Sequence, residues 1–421
     1  MNRKITKLSP HCRLILEKDK KFKYIGIEIV FKMKYQYEDI TAFRILSKIL
    51  SNTNQKYPSI MEMSHKKDEL YDVDINFSHS FYGKLSLLKM SCSYIHPSYI
   101  PNKNYEKQVF QLLHDCLFQP NIQKGQFDQS MYEIAKDLVY NDILMQKDNT
   151  TAHAIIELLQ NVGSKRQAIA ASARGDKNVL KKLNAKQLVS FYEKMIVSPF
   201  DIYIIGDIQY QAMIELAKQY FVKNTLKKKN YIPAIALTKE PIAFKIIHKN
   251  VLQTRLAVLY TTQKVFLDKE SYALRILNDI LGGGMQSKLF IEVREKKGLC
   301  YSIGSTYNSS YGYIMIHTGI QAENVQLVLS AIQKQIDAIK KGDFSAAEVK
   351  RSIDSFCRGL QSYQDDLFAY MDLHIRYASF HQPFDLKKII KQYQQVTKKD
   401  IMEVAQLIEY KTHVVLTNKG E

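Results

Sequence analysis

Apolar residues alternate through "YIGIEIVF" (24–31), where Ile25, Ile27 and Ile29 point one way. A period of two predicts a half-buried strand. The spacing then changes. Ala42, Ile45, Leu46, Ile49 and Leu50 fall at i, i+3, i+4, i+7 and i+8, which is one apolar stripe of a helix. The same switch occurs a second time. Leu256, Val258 and Tyr260 alternate in "RLAVLY", and Ala273, Ile276, Leu277, Ile280 and Leu281 repeat the helical stripe. The stretches 24–50 and 255–281 align without a gap. Asp39 and Asp268 stand where acidic residues favour a helix start.

The repetition continues. "SFYGKLSLLKMSCSY" (80–94) and "SSYGYIMIHTGI" (309–320) each read as a Tyr-Gly turn entering a strand. Each half then closes on a helix and a short apolar strand. The first pair is "NAKQLVSFYEKMI" (184–196) and "PFDIYIIGDIQ" (199–209). The second is "TKKDIMEVAQLIE" (397–409) and "YKTHVVLTNKG" (410–420). The polar, basic stretch 221–240 carries a proline and reads as a linker. The chain is therefore expected to be α+β. It divides into two homologous domains, 1–220 and 241–421, each an antiparallel sheet with helices packed on one face.

Composition narrows the class. Hydrophobic residues make up 46% of the 421 positions and charged residues 24%, as in a folded globular protein. No apolar run approaches the roughly 18–20 residues of a membrane span. The amino terminus lacks the apolar core of a secretory signal, so a cytoplasmic protein is expected. Cys12, Cys92, Cys116, Cys300 and Cys357 are scattered and odd in number, with no C-x-x-C pair. A disulfide framework and a zinc knuckle are both disfavoured. The net charge of +18 raises nucleic-acid binding. However, the cations are mostly lysines in scattered pairs and triples, and no nucleic-acid module signature is visible, so no nucleic-acid partner is expected.

The most unusual stretch is "LGGGMQSKLFIEVREKKGLCYSIGS" (281–305). Glycine at such a junction ends a helix by taking positive φ and allows close backbone approach. It is not a nucleotide loop of the G-x-x-x-x-G-K-[ST] kind, because Lys288 lacks a following Ser or Thr. The run from Leu281 to Phe290, followed by Val293-Arg294-Glu295-Lys296-Lys297-Gly298-Leu299-Cys300-Tyr301-Ser302, closely resembles the second domain of the pitrilysin/insulinase family of zinc peptidases. The duplication and the closing strands extend the resemblance over nearly the whole chain. It implies that the protein forms half of a peptide chamber, with Gly282, Gly283 and Gly284 shaping the wall of a substrate-binding cleft.

Active members of that family resemble the inverzincins. They carry H-x-x-E-H on the helix after the first strand and a further Glu about 70 residues on. Two His at i and i+4 face one metal, and the Glu activates its water. Here the corresponding helix is "ITAFRILSKILSNT" (40–53), and Phe43, Leu46 and Ser47 stand where His, Glu and His would be. Asn141 and Asp142 stand near the place of the distal Glu. The second half offers Leu274, Leu277 and Asn278 at the equivalent positions. Elsewhere, "HKKDE" (65–69) has Glu69 where a second His is needed. His374 and His381 are seven apart and could share a helix face, but no third ligand accompanies them. No metal site is therefore expected in this chain.

Arg294 and Tyr301 keep the spacing R-x6-Y. In the family this pair looks across the chamber at zinc, where a guanidinium and a phenol hold the substrate backbone and donate to the oxyanion. Read without the family, they are a surface helix residue and a strand residue facing the core. The resemblance implies a zinc-free subunit of a heterodimeric metallopeptidase. It would bind peptides and supply Arg294 and Tyr301 in trans to a companion carrying H-x-x-E-H and zinc. Independent catalysis is in doubt. The alternative is a non-proteolytic scaffold or assembly protein of the same fold. An autonomous zinc peptidase with a displaced site is the remaining enzymatic reading.

Overall fold

The computed structural model describes residues 2–222, 231, 233–266 and 268–418. The chain forms two compact units, and neither follows chain order throughout. One contains Met1–Leu144, Ser172–Tyr231 and Leu367–Leu373; the other contains Met145–Ala171, Ile232–Asp366 and His374–Glu421. Each half of the sequence thus contributes a segment to the unit built mainly by the other half. The linker expected over 221–240 falls partly outside the described residues, at 223–230 and 232. Farther on, Ile235 and Leu237 donate backbone hydrogen bonds to Ser310 and Tyr311 in the second unit.

In the first unit the strands are β1 (Asn2–Ser9), β2 (Cys12–Lys18), β3 (Tyr24–Lys34), β4 (Asp74–Tyr82) and β5 (Leu85–Ile95), a small hairpin β6 (Ile122–Gln123) and β7 (Gln126–Phe127), and β8 (Phe200–Gly206). The six-stranded sheet has the order β1-β2-β8-β3-β5-β4. All pairs are antiparallel except β2 with β8. Ile25, Ile27, Ile29, Phe31 and Met33 face a continuous apolar core shared with Ala42, Phe43, Ile45, Leu46, Ile49 and Leu50 of the Tyr37–Leu50 helix. Full burial of such a side chain stabilises by about 1.5–3 kcal/mol.

The half-buried strand expected at 24–31 needs correcting. Every residue from Ile25 to Met33 is buried, because β3 is central and its second face is covered as well. That second face is polar. Asp201 takes both Arg13 (3.0 and 2.6 Å) and Lys32, and Ser91 donates to Glu28 at 2.9 Å. Residues Leu367–Leu373 lie in this unit, and the Tyr370 hydroxyl donates to Glu17 at 2.8 Å.

In the second unit the strands are β9 (Lys245–His248), β10 (Thr254–Thr261), β11 (Ser302–Asn308), β12 (Tyr313–Ile320) and β13 (Glu409–Thr417), in the order β11-β12-β10-β13-β9. Only β13 with β9 is parallel. The Glu270–Gly282 helix follows β10, as Tyr37–Leu50 follows β3. The Thr150–Val162 helix packs on β10 and β13. It is tied there by Asn161 Nδ2 to Thr412 Oγ1 at 2.9 Å and by Arg255 Nε to Thr150 Oγ1 at 3.1 Å.

The repeated local signals appear as expected. The Tyr-Gly turns place Gly83 (φ 54°) before β5 and Gly312 (φ 63°) before β12, where a left-handed backbone favours glycine. The closing helices Ala185–Ile196 and Lys398–Ala405 both start in a capping box, Asn184 with Gln187 and Thr397 with Asp400.

Candidate functional site

The Tyr37–Leu50 helix carries the positions where metal ligands would stand. Phe43 and Leu46 are buried in the apolar core, and Ser47 is buried too. Phe43 packs on His79 of β4, with ring centroids 5.6 Å apart. The Ser47 hydroxyl donates to the Arg44 carbonyl at 2.8 Å, within its own helix. A phenyl ring and an isobutyl group have no lone pairs to offer a metal, so these residues do not fit zinc. Among the described residues, no group of three or more His, Cys, Asp and Glu side chains is arranged to hold a metal ion.

An ion pair stands close by. Arg44, next to Phe43, reaches Asp142 at 2.5 Å, and Arg174 donates to the Asp142 carbonyl at 3.2 Å. Arg44 Nε is buried without a hydrogen-bond partner. His79 pairs through Nε2 with Ser86 Oγ at 3.0 Å, while its Nδ1 is buried and unpartnered. Burial, with Arg44 adding to it, pushes the His79 pKa down to about 3. The sequence reading missed Arg44 and His79. His79 stands in register with Ile75, Phe77 and Phe81 along β4, and that polar break in an apolar alternation was the available signal; Arg44 gave none, because it lies off the apolar stripe, beside Ser47 and Lys48.

The other histidine candidates separate. His65 is exposed on the Ile60–Glu69 helix, where Lys66 pairs with Glu69 at 2.9 Å and lowers its pKa. His374 is buried and stacked on Phe384 at 5.0 Å. Its helix ends at Ser379, and His381 lies beyond it with φ 57°. The expected shared helix face does not form, because the chain leaves the helix before His381.

The glycine stretch works by close approach, not by positive φ. A Cβ on Gly282 would lie 2.9 Å from the Ser305 backbone nitrogen on β11. Gly283 has φ −80° and caps the helix by donating to Asp279. A Cβ on Gly284 would meet nothing within 4 Å. The left-handed glycine of this region is Gly298, at φ 61°. Asn278 answers Gly282 on the same contact: Ser305 Oγ donates to its carbonyl at 3.2 Å.

Between them, Phe290–Glu295 is wound as a π-helix, with Lys296 donating to the Ile291 carbonyl at 2.9 Å. Such turns are rare and frequent at functional sites. This segment packs against β11 and carries Arg294, whose guanidinium lies 4.5 Å over the Phe290 ring and 3.6 Å from Glu295. Tyr301 leads into β11 and donates its backbone N–H to the Gly319 carbonyl at 3.0 Å. Its side chain is 65% exposed, so the phenol faces solvent and not the core. Burial raises the thiol pKa of neighbouring Cys300, against pulls from Thr318 and Arg294. The second unit therefore brings Gly282, Arg294 and Tyr301 to one sheet edge, since β11 is the end strand.

The comparisons with known proteins agree with this picture. A family model described as the peptidase M16 inactive domain matches residues 182–356. The chain is 24% identical over 409 residues to the Bacillus subtilis (strain 168) protein named "Probable inactive metalloprotease YmfF", covering 94% of this chain and 93% of that one. It is 26% identical over 285 residues to an uncharacterized zinc protease of Rickettsia bellii (strain RML369-C), covering 66% and 67%. Among solved structures, a conserved protein from Enterococcus faecalis V583 superposes with TM-score 0.94 at 22% identity over 100% of both chains. A peptidase M16 inactive domain from Pseudomonas fluorescens does so with TM-score 0.78 at 16% identity, over 100% of this chain and 98% of that one. These structures share the fold. Among the described residues, no helix is long and apolar enough to cross a membrane. The resemblance drawn from the glycine stretch thus holds: the chain is similar to the M16 inactive domain and, over nearly its whole length, to a relative named as a probable inactive metalloprotease.

Proposed function

We propose that this chain is the non-catalytic, zinc-free subunit of a heterodimeric, cytoplasmic M16 metallopeptidase. It binds peptides and presents Arg294 and Tyr301 to the zinc centre of a companion carrying H-x-x-E-H. The observation that supports this most is a contrast. The metal positions are filled by core side chains, Phe43 and Leu46, whereas Tyr301 keeps its phenol in solvent beside an end strand. A phenol that only packed would be buried. The outer edge of β11 offers backbone groups for an added peptide strand, with Gly282 to Gly284 in the adjoining wall.

In this reading the companion's zinc activates the water. Arg294 and Tyr301 hold the peptide backbone and donate to the developing oxyanion, an effect worth on the order of 10²–10³ in rate. The test is affinity capture of the tagged chain from its source cells, followed by peptide hydrolysis by the recovered complex. A near-stoichiometric H-x-x-E-H companion is expected, and Arg294→Ala or Tyr301→Phe should cut kcat by about a hundredfold or more. Capture of the chain alone, or variants that leave kcat unchanged, would favour the scaffold reading.

A further inference from the structure

The Leu367–Ser379 helix begins in the first unit, while its residues from His374 onward belong to the second. Its opening turns form a strap on the polar face of the six-stranded sheet. A Cβ on Gly26 of β3 would lie 3.0 Å from Met371 Cε and 3.5 Å from Leu367 Cδ1, so the strap sits directly on the strand. Two polar contacts add to this. Tyr370 donates to Glu17, and Asp372 pairs with Lys89 of β5.

Lys89 has a second carboxylate beside it. Its Nζ lies 3.7 Å from Glu28 Oε1. Glu28 is 1% exposed; Oε1 accepts from Ser91, and Oε2 is buried with no hydrogen-bond partner. Two carboxylates therefore face one ammonium. With all three charged, this cluster carries an excess negative charge, and the carboxylate out of water, Glu28, shares its ammonium with Asp372 at the rim, which is costly. One proton removes the excess, and Glu28, with an oxygen unbonded, is where it is held.

The other groups near Glu28 do not replace that proton. Tyr203 is its cross-strand neighbour on β8, with its phenol kept protonated by burial. Asp201, farther along β8, is held by Arg13 of β2 and by Lys32 of β3 itself. Glu17 of β2 is paired with Arg3 of β1 and with Tyr370 of the strap. From β5 come Lys89 and Ser91, and from the strap Asp372. Burial first, then Asp372, raises the Glu28 pKa to about 7 against the pull of Lys89.

We infer that the strap is a proton-linked clasp, closed on the sheet while Glu28 holds a proton and loosened when Glu28 ionises. Opening hydrates Glu28 and returns it towards its ordinary value of 4.5. The closed form therefore holds the proton more tightly. Opening becomes easier as pH rises from 4.5, by at most about tenfold per pH unit for one proton, and levels off above about 7.

Amide hydrogen exchange of residues 367–373 in the full chain, between pH 5.5 and 8, tests this. Comparing wild type with Glu28→Gln at each pH cancels the intrinsic pH dependence of exchange. The wild type should lose roughly tenfold or more in relative protection between pH 5.5 and 7, then hold constant. Asp372→Asn lies at the rim, with its side chain 55% exposed, and leaves Lys89 to Glu28 alone. It should move the midpoint to lower pH. A ratio of wild type to Glu28→Gln that stays flat with pH, or a midpoint that Asp372→Asn does not move, would overturn the clasp.

Discussion

Arg44 and Asp142 meet at 2.5 Å from helices 98 residues apart in sequence, beside the positions where active relatives would be expected to ligate a metal. A pair of opposite charges ties the Tyr37–Leu50 helix to the Gln129–Asp148 helix. Both side chains are partly exposed, at 27% and 31%, so solvent screens the attraction. Arg44→Met should cost about 1 kcal/mol in urea unfolding, and Arg44→Met with Asp142→Leu should show a coupling of about the same size. Strict additivity of the two changes would mean that the pair does not link the helices.

Rebuilding the metal motif should fail. Phe43→His, Leu46→Glu and Ser47→His would place polar groups at positions 3%, 1% and 6% exposed, and Leu46→Glu would bury a carboxylate in the apolar core. The combined variant should lose on the order of 3–5 kcal/mol, and zinc should not restore it. A triple variant as stable as wild type, with stoichiometric zinc, would show that the helix still accommodates the site.

The glycine run makes opposite predictions at two of its members. Gly282→Ala drives a Cβ to 2.9 Å from the Ser305 backbone, so β11 or the helix end must shift, at a cost of about 1–3 kcal/mol. Gly284→Ala points into open space and should leave the melting temperature unchanged within a degree or two. Equal effects at both positions would mean that the run acts through backbone freedom and not through contact.

His79 should tie stability to acid. Its pKa is about 3 in the folded chain against an ordinary 6.5, so the unfolded chain binds the proton more tightly. The His79 contribution is fully present above pH 6.5 and is lost as pH falls from there towards 3. His79→Gln should flatten the fall in urea stability between pH 6.5 and 4. An unchanged slope would place the acid sensitivity elsewhere.

Asp201 is held well below the usual carboxylate range by Lys32 and Arg13, against the effect of burial. Asp201→Asn leaves Lys32, itself 8% exposed, without its counter-charge. The loss should be about 3–5 kcal/mol, far more than for the Arg44 pair. A loss under about 1 kcal/mol would show that Lys32 finds water when Asp201 is neutral.

Much of this protein was legible in the residues alone. The switch from period two to period 3.6, seen twice, located β3 with its helix and β10 with its helix. Tyr-Gly turns marked the entries to β5 and β12, and the apolar stripe placed Phe43 and Leu46 on a helix that packs into the core. These are properties of neighbours along the chain, where geometry repeats over a few residues. Tertiary structure decided the rest. Glu28 and Lys32 read as the solvent face of a strand, yet both are buried, because pairing with Lys89 and Asp201 and cover from a distant helix make burial tolerable. The contact of Asp372 with Lys89 spans 283 residues, and that of Arg13 with Asp201 spans 188. The exchange of helical segments between the halves, the π-turns around Arg294 and the exposure of Tyr301 likewise depend on packing between distant segments, which no local period encodes.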